Sequence, residues 1–389
     1  MANTAASRMV LGRFSEDLVR SAAQETLRAV GGRVSCAFVF VSSDYRPHLA
    51  DFVELVQVHG HAPIIVGCSG SGLIGAATET ERAGGFSLLF LNLPETELFP
   101  FHFSAAQAQE ASSPADWRKL AGTDSVDAWI VLADPTTVAI EPWIDEWNEA
   151  FPGIPCIGGL GSGGPRADDI FVLRDDQLIE GGVAIGFRGG LRVRAVISQG
   201  CRPIGEPLTI TGTDQNIVTS LASRPAYEAL TEAFEALPET TKPKARGNLF
   251  AGLAMSEYVD EFKTGDFLVR NILGADADNG AVALGAWPRV GQTLQFQLRD
   301  RESAAAELRA LLAAADQSSN RPFASLIFSC TGRGKNLFGA PNHDAGAVAA
   351  QFGPIPSAGF FCNGEIGPVG ARNFIHGYTA SVALLSDPD

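Results

Sequence analysis

Ile154-Pro155-Cys156-Ile157-Gly158-Gly159-Leu160-Gly161-Ser162-Gly163-Gly164 is a short apolar run that starts at a proline and breaks up into glycines. The same arrangement stands at Ala62-Pro63-Ile64-Ile65-Val66-Gly67-Cys68-Ser69-Gly70-Ser71-Gly72 and at Ile355-Pro356-Ser357-Ala358-Gly359-Phe360-Phe361-Cys362-Asn363-Gly364-Glu365. Self-similarity of this kind is the mark of internal duplication, and the flanks repeat with the glycines. Upstream lie the β-branched and aromatic runs Cys36–Val41, Ala128–Leu132 and Ser325–Phe328. Before the first two prolines, Leu49, Phe52, Val53, Val56 and Ile140, Trp143, Ile144, Trp147 recur at helical spacing. Downstream come further strands, Gly85–Leu91, Gly182–Phe187 and Gly377–Leu385.

Each unit therefore reads strand, helix, strand, Gly loop, strand. That order favours parallel pairing with the crossover helix on one face, and continuous apolar runs suit strands covered on both faces. The expected fold class is α/β, with mixed, largely parallel sheets covered by helices.

Residues 191–320 follow another pattern. Leu191–Ile197 alternates charged and apolar residues, as a half-exposed strand does. A helix is expected over Ala226–Leu237, a polar loop over Pro238–Lys244, strands at Phe267–Ile272, Ala281–Leu284 and Thr293–Leu298, and a helix over Glu302–Ala314. This patterning puts a boundary near Gly189-Gly190. It separates a lead segment 1–34 and a module 35–189 holding two repeat units from a second module, 190–389.

Composition limits the partners. The 389 residues are 46% apolar and 19% charged, and Lys+Arg 29 against Asp+Glu 44 leaves a net charge of −15. Such a chain repels a phosphate backbone and an anionic membrane surface, so neither nucleic acid nor membrane is an expected partner. No apolar run reaches the ~20 residues of a transmembrane helix, and Met1–Arg8 lacks the pattern of a secretory signal. Six scattered cysteines without a CxxC pair suggest neither a disulfide framework nor zinc. The expected setting is a reducing cytoplasm.

Several motif matches fail on context. Gly159-x-Gly161-x-x-Gly164 fits a dinucleotide fingerprint, but Ile170–Leu173 after it reads as a strand where the pyrophosphate needs a helix N-terminus. Gly332-Arg333-Gly334-Lys335 lacks both the first Gly and the Ser/Thr of a P-loop. Gly67–Ser71 misses the last glycine of a hydrolase elbow. His59-Gly60-His61 has no neighbouring carboxylate cluster to complete a metal site.

Taken together, Gly67-Cys68-Ser69, Gln199–Gly205, Val269–Ile272, Phe328–Gly334 and Gly359–Pro368 resemble the FIST family, over about residues 35–385. That family joins an N-terminal and a C-terminal module in tandem. The resemblance implies an intracellular sensory protein for small ligands, with amino acids or their derivatives proposed, and no catalytic activity of its own. Family members often carry a signalling or F-box segment. The 34 residues before the first expected strand are too few for one, so output is expected through a separate protein partner.

Ligands of open α/β sheets sit beyond the carboxyl ends of parallel strands. The Gly loops fall there, as do Ser42-Ser43-Asp44, Ala133-Asp134-Pro135 and Cys330–Arg333. Arg333 is the expected clamp for a carboxylate, with Asp134 or Glu365 for an ammonium and Ser69, Ser71, Ser162 and Asn363 for neutral hydrogen bonds. Cys68, Cys330 and Cys362 complete the candidate ligand-binding set. A thiol beside Arg in a Gly turn is one route to a reactive thiolate, and His343 and His376 stand nearest in sequence as bases for a cysteine hydrolase. Two further alternatives stay open. One is a haem-binding gas sensor, with an axial ligand from histidines 48, 59, 61, 102, 343 or 376. The other is a scaffold that recruits substrates through an exposed apolar surface. Apart from that haem, no cofactor and no metal is expected.

Overall fold

The computed structural model describes residues 2–111, 113–262, 265–317 and 320–388. The chain divides into two compact units, one of Met1–Ile197 with Leu308–Asp389 and one of Ser198–Glu307. Compactness thus makes the second unit an insertion inside the first, whereas patterning alone suggested a single cut near Gly189-Gly190.

The larger unit holds three six-stranded sheets, one for each repeat. At the centre of each is a parallel pair: Cys36–Val41 with Ile65–Ser69, Ala128–Ala133 with Cys156–Leu160, and Ala324–Cys330 with Ser357–Cys362. Antiparallel strands Gly85–Asn92, Gly181–Gly189 and Ala380–Ser386 flank them on one side. Beyond these lie Thr4–Leu11, Thr96–Ser104 and Arg192–Ser198. Parallel pairing is confined to the central pair of each sheet, and all three sheets are mixed.

The other side of each sheet is completed by a hairpin from a different repeat. Val172–Arg174 and Gln177–Ile179, from the second repeat, pair onto Ile65–Ser69 of the first. Glu365–Val369 and Arg372–His376, from the third, pair onto Cys156–Leu160 of the second. Gly72–Gly75 and Thr78–Glu81, from the first, pair onto Ser357–Cys362 of the third. The exchange is cyclic and closed. The lead segment takes part as well: its strand Thr4–Leu11 and helix Glu16–Val30 belong to the first repeat, so 1–34 is no appendage and the first strand begins at Thr4.

The recurring glycines have a shared physical cause. Gly67, Gly158 and Gly359 stand opposite Val39, Val131 and Ile327 across the parallel pairs. A Cβ at each would lie 2.1, 1.8 and 1.8 Å from that residue's carbonyl oxygen. Three equivalent sites with one steric demand establish the duplication on geometry as well as sequence.

Side chains alternate across each central strand. Phe38 and Phe40, Ile130 and Leu132, Leu326 and Phe328 point into one core shared by all three repeats. There Phe40 stacks on Phe360 with ring centroids 5.1 Å apart, and Phe328 meets both rings edge-on. The intervening residues pack on helices: Val39 on Phe52 and Val56, Val131 on Trp143 and Trp147, Ile327 on Leu312 and Val348. Both faces are covered, which is why the runs carry no polar alternation.

The smaller unit is an antiparallel barrel. Thr293–Arg299, Leu208–Asp214, Ile217–Leu221, Ala281–Leu284, Phe267–Asp276 and Leu249–Ala254 pair in that order, and Leu249–Ala254 closes back on Thr293–Arg299. Ala226–Glu235 lays Ala226, Ala229 and Ala233 into its core. No helix among the described residues is long and apolar enough to cross a membrane.

Gly359→Ala forces backbone apart in the central sheet and is expected to lower stability by about 2–3 kcal/mol. Gly346→Ala is the matched control, because its Cβ would meet nothing within 4 Å in the helix His343–Phe352. It is expected to stabilise by about 0.5–1 kcal/mol. Urea unfolding of both variants checks the pair.

Candidate functional site

The carboxyl ends of the central strands meet around one cavity of about 570 Å³. The first repeat lines it with Ser42, Ser43, Asp44, Gly70 and Ser71, the second with Gly163 and Gly164, and the third with Thr331, Phe361 and Asn363. Glu81 ends the exchanged hairpin of the first repeat, Arg82, Ala83 and Gly84 come directly after it, and Asn336 follows Thr331. Three related loop sets thus share one hollow.

Backbone hydrogen bonds knit the loops together. The Ser162 N–H donates to the Ser69 carbonyl at 3.1 Å, and the Asn363 N–H to that of Leu160 at 3.1 Å. The Ser162 hydroxyl accepts from the Ser71 N–H at 2.8 Å and donates to the Phe361 carbonyl, joining all three repeats at one side chain. Ser43 Oγ donates to the Asp169 carbonyl at 2.8 Å. Gly163 has to be glycine here, because a Cβ would stand 2.1 Å from that same carbonyl.

Of the candidate ligand-binding residues, Ser71 and Asn363 line the cavity. Ser69 and Ser162 lie beneath it as loop ties; Ser69 Oγ accepts the Phe171 N–H at 3.0 Å. Asp134 turns back on its own loop, where one oxygen accepts from Thr136 N at 2.8 Å and Thr136 Oγ1 at 2.7 Å. Cys68 is wholly buried within the shared core.

Arg333 is the clearest correction. It is fully buried, and its guanidinium grips Asp344 with Nε to Oδ2 at 2.8 Å and Nη2 to Oδ1 at 2.9 Å. Nη1 donates to the Tyr378 carbonyl at 3.3 Å. Burial alone would raise the Asp344 carboxyl, but Arg333, with His343 and Ser329, holds it well below the usual range. This ion pair is built into the fold, so Arg333 clamps no ligand carboxylate.

Glu365 is not its partner and does not face the cavity. It is completely buried, and its Oε2 accepts the Thr379 N–H at 3.1 Å. Burial drives its carboxyl well above the ordinary value, against the pull of that N–H and of Arg333. Buried away from the cavity, Glu365 is out of reach of a ligand ammonium. Burial, together with the charge Glu365 would carry, pushes the Cys330 thiol up to about 12 despite Arg333. Burial raises Cys68 and Cys362 as well. These thiols stay protonated at neutral pH. The two nearby imidazoles are engaged elsewhere, His343 Nδ1 with Asp344 at 2.8 Å and His376 Nε2 with the Gly367 carbonyl at 3.0 Å.

The charged lining is instead Asp44, Glu81 and Arg82. Arg82 makes no ion pair among the described residues. Its backbone is left-handed (φ 58°), which turns the chain out of the strand Thr78–Glu81. The sequence signal for this corner is the Gly84-Gly85 pair just after it, where Gly85 has φ 152°. Asn336 had no signal of its own.

The FIST N domain matches residues 35–224 and the FIST C domain residues 226–368. An uncharacterized protein of Mycobacterium tuberculosis is 35% identical over 378 residues, 95% of this chain and 97% of its own. An F-box/LRR-repeat protein of Arabidopsis thaliana is 28% identical over 136 residues, 31% of this chain and 26% of its own. A solved cyanuric acid hydrolase from A. caulinodans aligns over 100% of both chains at 11% identity and a TM-score of 0.35, too distant to bear on fold or chemistry. Two modules matched in tandem, and a relative similar along nearly its whole length, place the chain in the FIST family, whose domains are small-ligand sensory modules.

Proposed function

We propose that this protein senses an amino acid or a close derivative in the cavity among the Gly loops, and that a separate output protein reads the bound state. What carries the reading is the meeting of three related loop sets at one hollow of mixed charge. Arg82 supplies a planar guanidinium for a carboxylate, and such paired hydrogen bonds are strong and directional. Asp44 and Glu81 supply the counter-charge for an ammonium. Ser71, Thr331, Asn336 and Asn363 offer neutral hydrogen bonds, and Phe361 an apolar wall. Two carboxylates against one guanidinium leave the lining net negative, so zwitterionic or cationic ligands suit it better than acidic ones.

Thermal-shift screening against the twenty L-amino acids and their N-acetyl and amide derivatives tests the reading. A ligand at 100 times its Kd adds about 2.7 kcal/mol of stability. Arg82→Ala is expected to weaken carboxylate-bearing ligands about ten- to a hundredfold, the worth of about 1.5–3 kcal/mol for a hydrogen bond to a charged group. An absence of any shift across the panel, or an unchanged affinity in Arg82→Ala, rejects it. A Soret band in the visible spectrum of the purified protein would favour haem instead.

Arg333→Ala separates the fold's ion pair from the ligand's. Removing one partner of a buried pair leaves Asp344 charged and unmatched, at about 3–5 kcal/mol. The expected result is a large fall in unfolding midpoint without ligand, where Arg82→Ala leaves the midpoint near that of the unaltered protein.

A further inference from the structure

We propose that the Ser162 hydroxyl is a wedge, which holds the first and third repeats apart at one joint beneath the cavity and so sets the size of guest the cavity takes. The wedge is read from the loops alone; its bearing on a guest rests on the cavity being the sensing site.

Gly67, Gly158 and Gly359, each packed on a neighbouring strand's carbonyl, fix which residues of the three repeats correspond. Two positions further on stand Ser69, Leu160 and Phe361, and four positions further on stand Ser71, Ser162 and Asn363. At two joints these residues meet in the same way, backbone to backbone. The Ser162 N–H donates to the Ser69 carbonyl and the Asn363 N–H to the Leu160 carbonyl, each at 3.1 Å. By the same pattern the third joint would run from the Ser71 N–H to the Phe361 carbonyl. There the Ser162 hydroxyl stands between the two, accepting from the Ser71 N–H at 2.8 Å and donating to the Phe361 carbonyl. The ring therefore has two closed joints and one spread by a single oxygen atom.

The cavity lies on the side of the spread joint. Ser71 and Phe361, the two residues that the hydroxyl separates, both line it. The rest of the lining also comes from the first and third repeats, except for Gly163 and Gly164 of the second. Three loops meeting with equal joints would have drawn on the repeats evenly.

A hydroxyl suits the role because it accepts and donates at once and is the smallest side-chain group that does so. Of the three corresponding side chains, Ser71 and Asn363 belong to the lining, while Ser162 is buried and does not. Its effect on a guest passes through Ser71 and Phe361, which makes it a positioning residue. A backbone N–H and C=O left without partners are costly. Once the hydroxyl is gone, that cost draws the two groups together.

Crystal structures of the unaltered protein and of Ser162→Ala test the wedge. In the variant, Ser71 N and Phe361 O are expected to close to a direct hydrogen bond of about 3 Å, with a cavity smaller than the present 570 Å³ or so. A water in the hydroxyl's place with the joint still spread, or an unchanged cavity, overturns the proposal. Affinities give the second readout, with the amino acids that raise the melting temperature of the unaltered protein as probes. Ser162→Ala is expected to weaken the bulkiest of them at least tenfold and the smallest least. Ser87→Ala is the control. Its hydroxyl is buried too, but donates to the Ile74 carbonyl at 2.7 Å outside the cavity lining, so the order of affinities should stay as it was. Equal weakening of every probe by Ser162→Ala would reduce Ser162 to a structural tie and overturn its part in selecting guests. If Ser162→Ala does not fold, scalar couplings across hydrogen bonds in the unaltered chain decide. They are expected from Ser69 to Ser162 and from Leu160 to Asn363, and a coupling from Phe361 to Ser71 rejects the wedge. An amino-acid panel without a single hit would sink the sensing reading, while the joint geometry still decides this one.

Discussion

The hairpin exchange is the constraint on which the larger unit depends. A sheet that ended at Ile65–Ser69, Cys156–Leu160 or Ser357–Cys362 would present a long apolar edge to water, a liability for any β structure. Each repeat covers another's edge and has its own covered in turn, and the ring closes after three. No repeat is complete alone. Contacts of this kind span long stretches of chain, Ile74 against Gly359 for example, and tie the N-terminal third to the C-terminal end.

Closure of the ring also creates the cavity. The parallel strands of all three repeats point their carboxyl ends the same way, around a core filled by Phe40, Phe328 and Phe360. Where that core stops, the loops cannot fill the remaining space, because their glycines carry no side chains. Backbone packed on backbone replaces it, as at Gly163 against Asp169. A polar floor results, tied by the Ser162 hydroxyl and open above to water-sized and larger guests.

What the sequence shows of this depends on how local each feature is. The repeats are legible because a proline, a buried strand and a glycine under a carbonyl recur within a dozen residues. The hairpins are not: Gly72–Gly75 and Thr78–Glu81 are four residues each, the second reads Thr-Glu-Thr-Glu, and the strand they join is nearly three hundred residues away. In the barrel, Ala281–Leu284 and Thr293–Arg299 are apolar enough to read as strands. Leu208–Asp214 alternates with threonine and glycine and carries register shifts around Gly212, which hide its period. Ser71 and Asn363 were recognisable at the rim because loops after parallel strands are where ligands sit. Arg82 was not, since its place there follows from the exchange.

Arg333 shows why residue type and spacing alone misassign charge. A lone arginine in a Gly turn looks like a ligand clamp, and Glu365 and Asp344 are both acids of the same module. Geometry decides between them. Asp344 opens the helix His343–Phe352 directly over Arg333, so its carboxylate gains the guanidinium, a hydroxyl and helix N–H dipoles together. Glu365 lies inside a strand between Cys156–Leu160 and Arg372–His376, where no comparable set of donors reaches it. Two carboxyls in one buried neighbourhood cannot both ionise cheaply. Burial is what first raises the carboxyls of both Glu365 and Glu79, and the charge on Asp344 adds to it. Glu79 differs from Glu365 in the donors it meets: both of its oxygens accept N–H groups from the first turn of His343–Phe352, and its strand leads directly into the cavity wall at Arg82.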